Sequence, residues 1–92
     1  MEIRWARSAT KHRISRTRSE YAIRNAIAVI DQPAPDDSPH RDVRVVFLGP
    51  DADGRMLEVM AVETAEGFLV IHAMLIRRKY LDYLEGASDE QA

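Results

Sequence analysis

The chain has 92 residues, of which 46% are hydrophobic and 30% charged, and it contains no cysteine. This length and composition predict one globular domain, and they exclude both a second core and a disulfide framework. No run approaches the roughly 20 apolar residues of a membrane span, and no apolar signal core follows Met1. We therefore expect a cytoplasmic protein with no membrane partner.

The net charge of −2 is split along the chain, with +5 on residues 1–24 and −7 on the remainder. The cations of this basic segment are Arg4, Arg7, Lys11, Arg13, Arg16, Arg18 and Arg24. Such a density of cations is typical of a surface that contacts phosphates or an acidic protein. A solvated helix face has the same composition, so charge alone leaves both interpretations open.

The first third of the chain is predicted to be mainly helical. Residues 1–5 alternate weakly and indicate a short strand, and residues 6–14 are compatible with a polar helix. Ser15 is a favoured N-cap residue, and apolar residues at spacings of three and four predict an amphipathic helix from there to residue 30. Residues 32–39 hold three of the four prolines, which predicts a loop.

The rest of the chain has the pattern of strands followed by a helix. Strands are predicted at 43–49, 56–64 and 68–74, separated by turns at 50–55 and 65–67. Three strands with short connections predict an antiparallel meander. Helical spacing over 75–85 ends near Gly86, and a polar tail, 87–92, is expected to be disordered. The predicted fold is α+β: a short N-terminal strand, two helices, a three-stranded meander and a C-terminal helix in one domain, 1–86.

Three groups of residues are candidates for chemistry. Lys11, His12, Arg16 and Arg18 can neutralise phosphates, and His12 can exchange a proton near neutral pH. His72, just before the final helix, is predicted at a strand end, where a rigid scaffold can present a reactive group; a half-buried structural histidine is the alternative. Arg77, Arg78 and Lys79 follow it, with Tyr80 and Tyr83 able either to contact RNA or to pack in the core.

Other chemistries have no support in the sequence. The glycines lie at turns or element ends rather than in a phosphate loop, and no histidines or cysteines have zinc-binding spacing. We expect no metal and no cofactor. Glu58 and Glu63 are expected either to lie on an exposed sheet face or to pair with arginines.

The order of the motifs resembles the BrnT family of toxins from type II toxin–antitoxin systems. The matching segments are Lys11-His12-Arg13-Ile14-Ser15, Arg44-Val45-Val46-Phe47-Leu48-Gly49, Asp53-Gly54-Arg55, and Ile71-His72-Ala73 running into Arg77-Arg78 and Tyr83. They are spread over most of residues 3–86. The resemblance implies a RelE-like fold and an endoribonuclease that needs no metal, in which a 2′-hydroxyl attacks the adjacent phosphate.

The chain departs from the family pattern at three positions. The family has glycine where this chain has Arg13, so the turn after His12 must accommodate a side chain. It has serine and arginine where this chain has His72 and Met74, so a phosphate-binding cation is lost and an imidazole is gained. The chemistry is therefore expected to be either rearranged around His72 or reduced.

On this resemblance His72, His12 and Lys11 are the candidate catalytic residues. RNA and phosphate are expected to contact Arg44, Arg77, Lys79 and Tyr80, and a cognate antitoxin is expected to contact Arg16, Arg18 and Arg24. The assembly is expected to be a homodimer or a hetero-oligomer with the antitoxin. The alternative function is a non-catalytic module on the same fold that binds a protein or RNA.

Overall fold

The computed structural model describes residues 2–32 and 43–90. It contains a five-stranded mixed sheet and two α-helices, and this confirms the α+β class. The elements are β1 (Glu2–Trp5), a 3₁₀ helix (Arg7–Thr10), α1 (Arg16–Arg24), β2 (Ala28–Gln32), β3 (Arg44–Pro50), β4 (Met56–Glu63), β5 (Gly67–Leu75) and α2 (Arg78–Glu90).

The strand order in the sheet is β1-β5-β4-β3-β2. The strands β2, β3, β4 and β5 pair antiparallel, each with the next along the chain. β1 instead lies parallel to β5 at one edge, with Trp5 opposite Val70. Because β1 ends there, the last residues of β5 are paired only with β4, and the 3₁₀ helix packs along β5 on the side that β1 leaves open.

The prediction of two N-terminal helices is wrong in its first half. Residues 6–14 form only a four-residue 3₁₀ helix, Arg7–Thr10, followed by a turn. A short helix with one buried residue, Ala9, has little apolar surface to hold a longer helix against the sheet.

The second predicted helix exists but ends early. Ser15 is its N-cap as predicted, since the Ser15 hydroxyl accepts a hydrogen bond from the backbone N–H of Arg18 at 3.2 Å. The helix stops at Arg24, where the Asn25 side chain donates to the carbonyl of Tyr21 at 2.9 Å. The chain then forms β2, although the apolar spacing predicts that the helix continues to residue 30. Pairing of Ala28–Gln32 with β3 outweighs local helical preference.

The sheet has a core on each face. Helix α1 covers one core, which contains Val45, Phe47, Leu57, Val59, Ala61 and Val70 among others. Helix α2 covers the other, which contains Val46, Leu48 and Tyr80. Gly49 lets α1 approach β3 closely, because a Cβ atom at this position would meet the carbonyl oxygen of Ala22.

Two predicted segments extend outside the described residues. The Pro-rich loop at 32–39 lies, after Gln32, outside the described residues. The prediction of a disordered tail at 87–92 is wrong for residues 87–90, because α2 continues to Glu90; residues 91–92 lie outside the described residues. Within residues 2–32 and 43–90, neither helix combines the length and the apolar character required to cross a membrane.

Candidate active site on the α2 face of the sheet

A β-bulge in β5 decides where His72 points. Val70 is opposite Ala61 of β4, whereas His72 is opposite the adjacent residue, Met60. Adjacent residues of β4 face opposite sides of the sheet, so the extra residue in β5, Ile71, turns His72 away from the side that Val70 occupies. His72 therefore shares the α2 face with Glu58, two residues from Met60 along β4.

Glu58 is the centre of the site. Its side chain is only 1% exposed, and Nε2 of His72 lies 3.1 Å from its Oε1 atom. The guanidinium of Arg77 donates to the same oxygen, from Nε at 2.8 Å and from Nη2 at 2.7 Å. The backbone N–H of Arg77, just before α2, donates to Oε2 at 2.9 Å. A buried carboxylate is thus bonded through both oxygens to β5 and to the start of α2.

These contacts keep Glu58 ionised. Burial by itself raises the pKa of the carboxyl group, but the Arg77 hydrogen bonds and the His72 hydrogen bond together bring the pKa below its ordinary value. The hydrogen bond between Arg77 and Glu58 in turn raises the pKa of Arg77. An ionised Glu58 accepts the Nε2–H of His72, which leaves Nδ1 of the ring for another partner.

His12 reaches the site from the edge of the sheet. Its ring lies edge-on to that of His72, with the ring centroids 5.3 Å apart. The preceding 3₁₀ helix is held on β5 by the Ser8 hydroxyl, which donates to the carbonyl of Ile71 at 2.8 Å. The bulged residue therefore orients His72 and anchors the segment that carries His12.

The turn after His12 accommodates Arg13 in a backbone conformation that glycine adopts more readily. Arg13 has φ +64°, a left-handed conformation that non-glycine residues rarely adopt, and among the described residues it is the only non-glycine residue with positive φ. This turn directs the chain from the 3₁₀ helix into the buried Ile14 and the N-cap of α1.

A cleft of about 330 Å³ lies beside His12. Its lining residues, which define the basic cleft hereafter, are His12, Arg13, Ile14, Arg18, Arg55, Met74 and Leu75. Arg18 is held there by Asp51, whose side chain is 1% exposed, through bonds from Nε at 3.1 Å and Nη2 at 2.9 Å.

Asp51 organises the turn between β3 and β4. Its Oδ1 accepts the backbone N–H groups of Asp53 and Arg55, both at 2.9 Å. Burial raises the pKa of Asp51, but the Arg55 N–H, Arg18 and the Asp53 N–H bring it below its ordinary value. The turn therefore fixes the position of Arg55 and, through the same carboxylate, that of Arg18.

The predicted site residues divide by position. His72, His12 and Arg77 come together, and Lys11 is the exposed residue immediately before His12. Arg44 is on the same face at the start of β3, two strands from His72 and two residues further along, so roughly 12 Å away. Arg44 is not part of the histidine cluster.

Tyr80 does not have the exposed position that an RNA contact requires. It is 4% exposed and belongs to the core beneath α2, so its ring cannot stack on a base. Lys79 stays at the surface with its Nζ 5.0 Å from the Tyr80 ring centroid. The core interpretation of Tyr80 is therefore the one that its burial supports.

The three cations predicted to contact an antitoxin have intramolecular contacts. Arg18 is paired with Asp51, and Arg24 is paired with Glu20 at 3.3 Å, one helical turn earlier. The Arg16 guanidinium lies 5.8 Å from the centroid of the Trp5 ring. All three remain on one helix, with Arg16 and Arg24 exposed.

Glu58 is the residue whose importance the sequence analysis missed. Of its two expected placements, the exposed sheet face is wrong and pairing with an arginine is confirmed. The available signal was a charged residue between Leu57 and Val59, in the interior of a strand whose only other charged residue is its last one, Glu63. A carboxylate at such a position requires hydrogen-bonding partners, and His72 and Arg77 are those partners.

Comparison of the chain with models of known protein families, with curated proteins and with solved structures gives no match.

Proposed function

We propose that this chain is a BrnT-like toxin of a type II toxin–antitoxin system, a cytoplasmic endoribonuclease that cleaves RNA without a metal. The observation that carries the proposal is the contact between His12 and His72, together with the buried Glu58 that binds His72. Two imidazoles side by side supply a proton acceptor and a proton donor for one reaction centre.

In the proposed reaction the 2′-oxygen of a ribose attacks the adjacent phosphorus while the bond from phosphorus to the 5′-oxygen breaks. One imidazole takes the proton of the 2′-hydroxyl, and the other, protonated, gives a proton to the 5′-oxygen. The products are a 2′,3′-cyclic phosphate and a 5′-hydroxyl. Glu58 holds His72 through Nε2, so the Nδ1 atom of His72 is the one available to substrate.

Cations close to the histidines would stabilise the charge on the phosphoryl oxygens. Lys11 precedes His12 on an exposed turn, and the Arg77 side chain is 42% exposed despite its bonds to Glu58. Lys79 follows on the first turn of α2. In this proposal a cognate antitoxin binds the α1 surface formed by Arg16, Arg18 and Arg24 and silences the enzyme. The toxin forms either a homodimer or a hetero-oligomer with this antitoxin.

Cleavage of labelled single-stranded RNA by the purified chain in EDTA tests the reaction. We expect cleavage with a 2′,3′-cyclic phosphate product, and we expect His72→Ala and His12→Ala each to slow it by about 100-fold or more, the range of general acid–base catalysis. Arg4→Gln is the control, because Arg4 lies on β1 in an exposed pair with Glu66.

Absence of cleavage by the wild type in EDTA, or unchanged cleavage by His72→Ala, would contradict the proposed reaction. The toxin assignment has its own test. Expression of the chain alone should arrest bacterial growth, and co-expression of the adjacent gene should relieve the arrest.

A non-catalytic binding module is the second candidate function. It is favoured by the engagement of Arg77 and Arg18 with buried carboxylates and by Met74, which stands where the BrnT pattern has a cation. A binding module would hold RNA with an affinity that falls steeply with salt and would leave it intact. Binding to an apolar protein groove would show weaker salt dependence.

A further inference from the structure

The basic cleft has two chemically different parts, and the proposed reaction uses only His12 among its residues. One part is apolar and comprises Ile14, Met74 and Leu75. Leu75, at the end of β5 beyond its pairing with β1, is 53% exposed. The other part is cationic and comprises Arg13, Arg18 and Arg55.

Two of these arginines can bind a ligand. Arg18 is held by Asp51, but no salt bridge among the described residues involves Arg13 or Arg55, and both are exposed. The positive φ of Arg13 and the Asp51-bonded turn before Arg55 fix both backbones. The cleft therefore places two exposed guanidinium-bearing residues beside an apolar surface.

A nucleotide matches this combination of groups. Its base has an apolar face that stacks on side chains, and its phosphates pair with guanidinium groups. A volume of about 330 Å³ lies at the lower end of the range of ligand sites, roughly 300–1,000 Å³, so it suits one nucleotide rather than a duplex.

We infer that the basic cleft binds one unpaired nucleotide of a single-stranded RNA, with its base against Leu75 and its phosphates beside Arg13 and Arg55, while Met74 lines the cleft from the other face of β5. His12 belongs both to this cleft and to the histidine pair, so the bound nucleotide adjoins the bond to be cut. The inference rests on the proposed function for the choice of RNA as ligand. It adds that recognition requires an exposed base face.

Binding of a 2′-O-methyl RNA oligonucleotide, followed by fluorescence anisotropy, separates recognition from cleavage because the ligand lacks the attacking hydroxyl. The wild type should bind the single strand about tenfold more tightly than an abasic strand of equal length, in line with one stacked base. Leu75→Ala should remove most of this difference. Because Leu75 is 53% exposed, this substitution should disturb folding little.

The cationic part of the cleft has a separate readout. The slope of log affinity against log salt concentration is negative, and Arg55→Gln should make it less steep by about 0.7, the value for one phosphate contact on a single strand. Arg4→Gln removes one exposed cation from β1 and should leave the slope unchanged. Thermal unfolding of each variant checks that the fold is intact.

Three results would each overturn the inference. The wild type could bind the abasic strand as tightly as the intact single strand, it could bind an RNA duplex as tightly, or an acidic peptide at the same charge concentration could displace the RNA. Wild-type affinity in Leu75→Ala would also overturn the inference. Base-dependent binding without cleavage in EDTA would support the inference while the proposed reaction fails. Cleavage by a protein whose cleft variants bind normally would support the reaction and overturn the inference.

Discussion

Glu58 combines a structural and a positioning role in one side chain. Burial of a carboxylate is unfavourable unless its oxygens are hydrogen-bonded, and here His72 and both the backbone and the guanidinium of Arg77 donate to it. The same bonds fix the orientation of the His72 ring, which is 25% exposed. Loss of the charge at Glu58 should therefore alter both stability and the proposed reaction.

Glu58→Gln should lower the free energy of unfolding by about 2 kcal/mol, since it weakens a buried pair whose partner, Arg77, can still turn to solvent. Urea denaturation measures this change. Glu63→Gln, at an exposed position of the same strand, is the matched control and should change stability by less than about 0.5 kcal/mol. Equal effects of the two variants would show that Glu58 has no special role.

Arg13→Gly should stabilise the fold by about 0.5–1 kcal/mol, because glycine adopts the φ of +64° without the steric cost that a Cβ atom brings. Arg13→Ala removes the same charged side chain but keeps the Cβ atom, so it should not stabilise. Thermal unfolding of the two variants distinguishes backbone strain from loss of charge. A higher melting temperature in both would assign the effect to charge instead.

At the scale of elements, the packing of α1 on the sheet depends on Gly49. The helix backbone at Ala22 lies against this residue, and the space that a Cβ atom would need is occupied. A close approach of this kind brings Ala22 and Ile23 into the core and sets the position of Arg18, one helical turn earlier, beside Asp51.

Gly49→Ala should destabilise by about 1–3 kcal/mol, the usual range for an overpacked core, and should speed amide hydrogen exchange in α1. Gly54→Ala provides the comparison, since a Cβ atom there meets nothing within 4 Å although φ is +85°. That variant should lose only the smaller backbone contribution and leave exchange in α1 unchanged. Slower or unchanged exchange in α1 of Gly49→Ala would contradict this account of the packing.

The sequence predicts elements well where local pattern and tertiary contacts agree. The Ser15 cap and the strands 44–50, 56–63 and 67–75 lie close to their predicted positions, whereas the last helix begins at Arg78 rather than Leu75 and continues past Gly86 to Glu90. β2 was missed because its apolar residues also have helical spacing, and only its ladder with β3 makes it a strand. The site was predicted through its histidines and Arg77 but without Glu58, whose burial depends on which face of β4 it occupies.

For the whole molecule, the +5 on residues 1–24 is partly balanced within the fold. Arg4 and Arg18 pair with Glu66 and Asp51, which lie outside the segment, and Arg24 pairs with Glu20, which the +5 already includes. Of these, the Arg18 pair involves a buried carboxylate, whereas the other two are exposed and contribute little to stability. Among the described residues, the cations of this segment without a salt bridge are Arg7, Lys11, Arg13 and Arg16, and of these Arg13 lines the basic cleft.

Stability of the whole molecule should fall in acid. The pKa values of Glu58 and Asp51 lie below their ordinary values of 4.5 and 3.8, so the unfolded chain binds protons at a higher pH than the folded one. Stabilisation by these groups is complete above about pH 5 and decreases as the pH falls through the ordinary values toward the lowered ones. Urea denaturation between pH 7 and pH 3 measures the loss.

The Glu58→Gln variant serves as the control for this pH dependence. Its stability deficit relative to the wild type should shrink as the pH falls, because protonation neutralises Glu58 in the wild type as well. A deficit that stays constant down to pH 3 would show that the pKa of Glu58 is not lowered by folding.

The sequence by itself determined the α+β class, the cap of α1, the strands that follow the Pro-rich segment, and the histidines and cations available for chemistry, because these depend on local propensity and composition. Only the tertiary structure decided that His72 turns toward Glu58, that His12 reaches it across the edge of β5, that Tyr80 is buried, and that Met74 and Leu75 share a cleft with three arginines. The physical reason is the register: one extra residue in β5 reverses the face that a side chain occupies, and no local pattern specifies it.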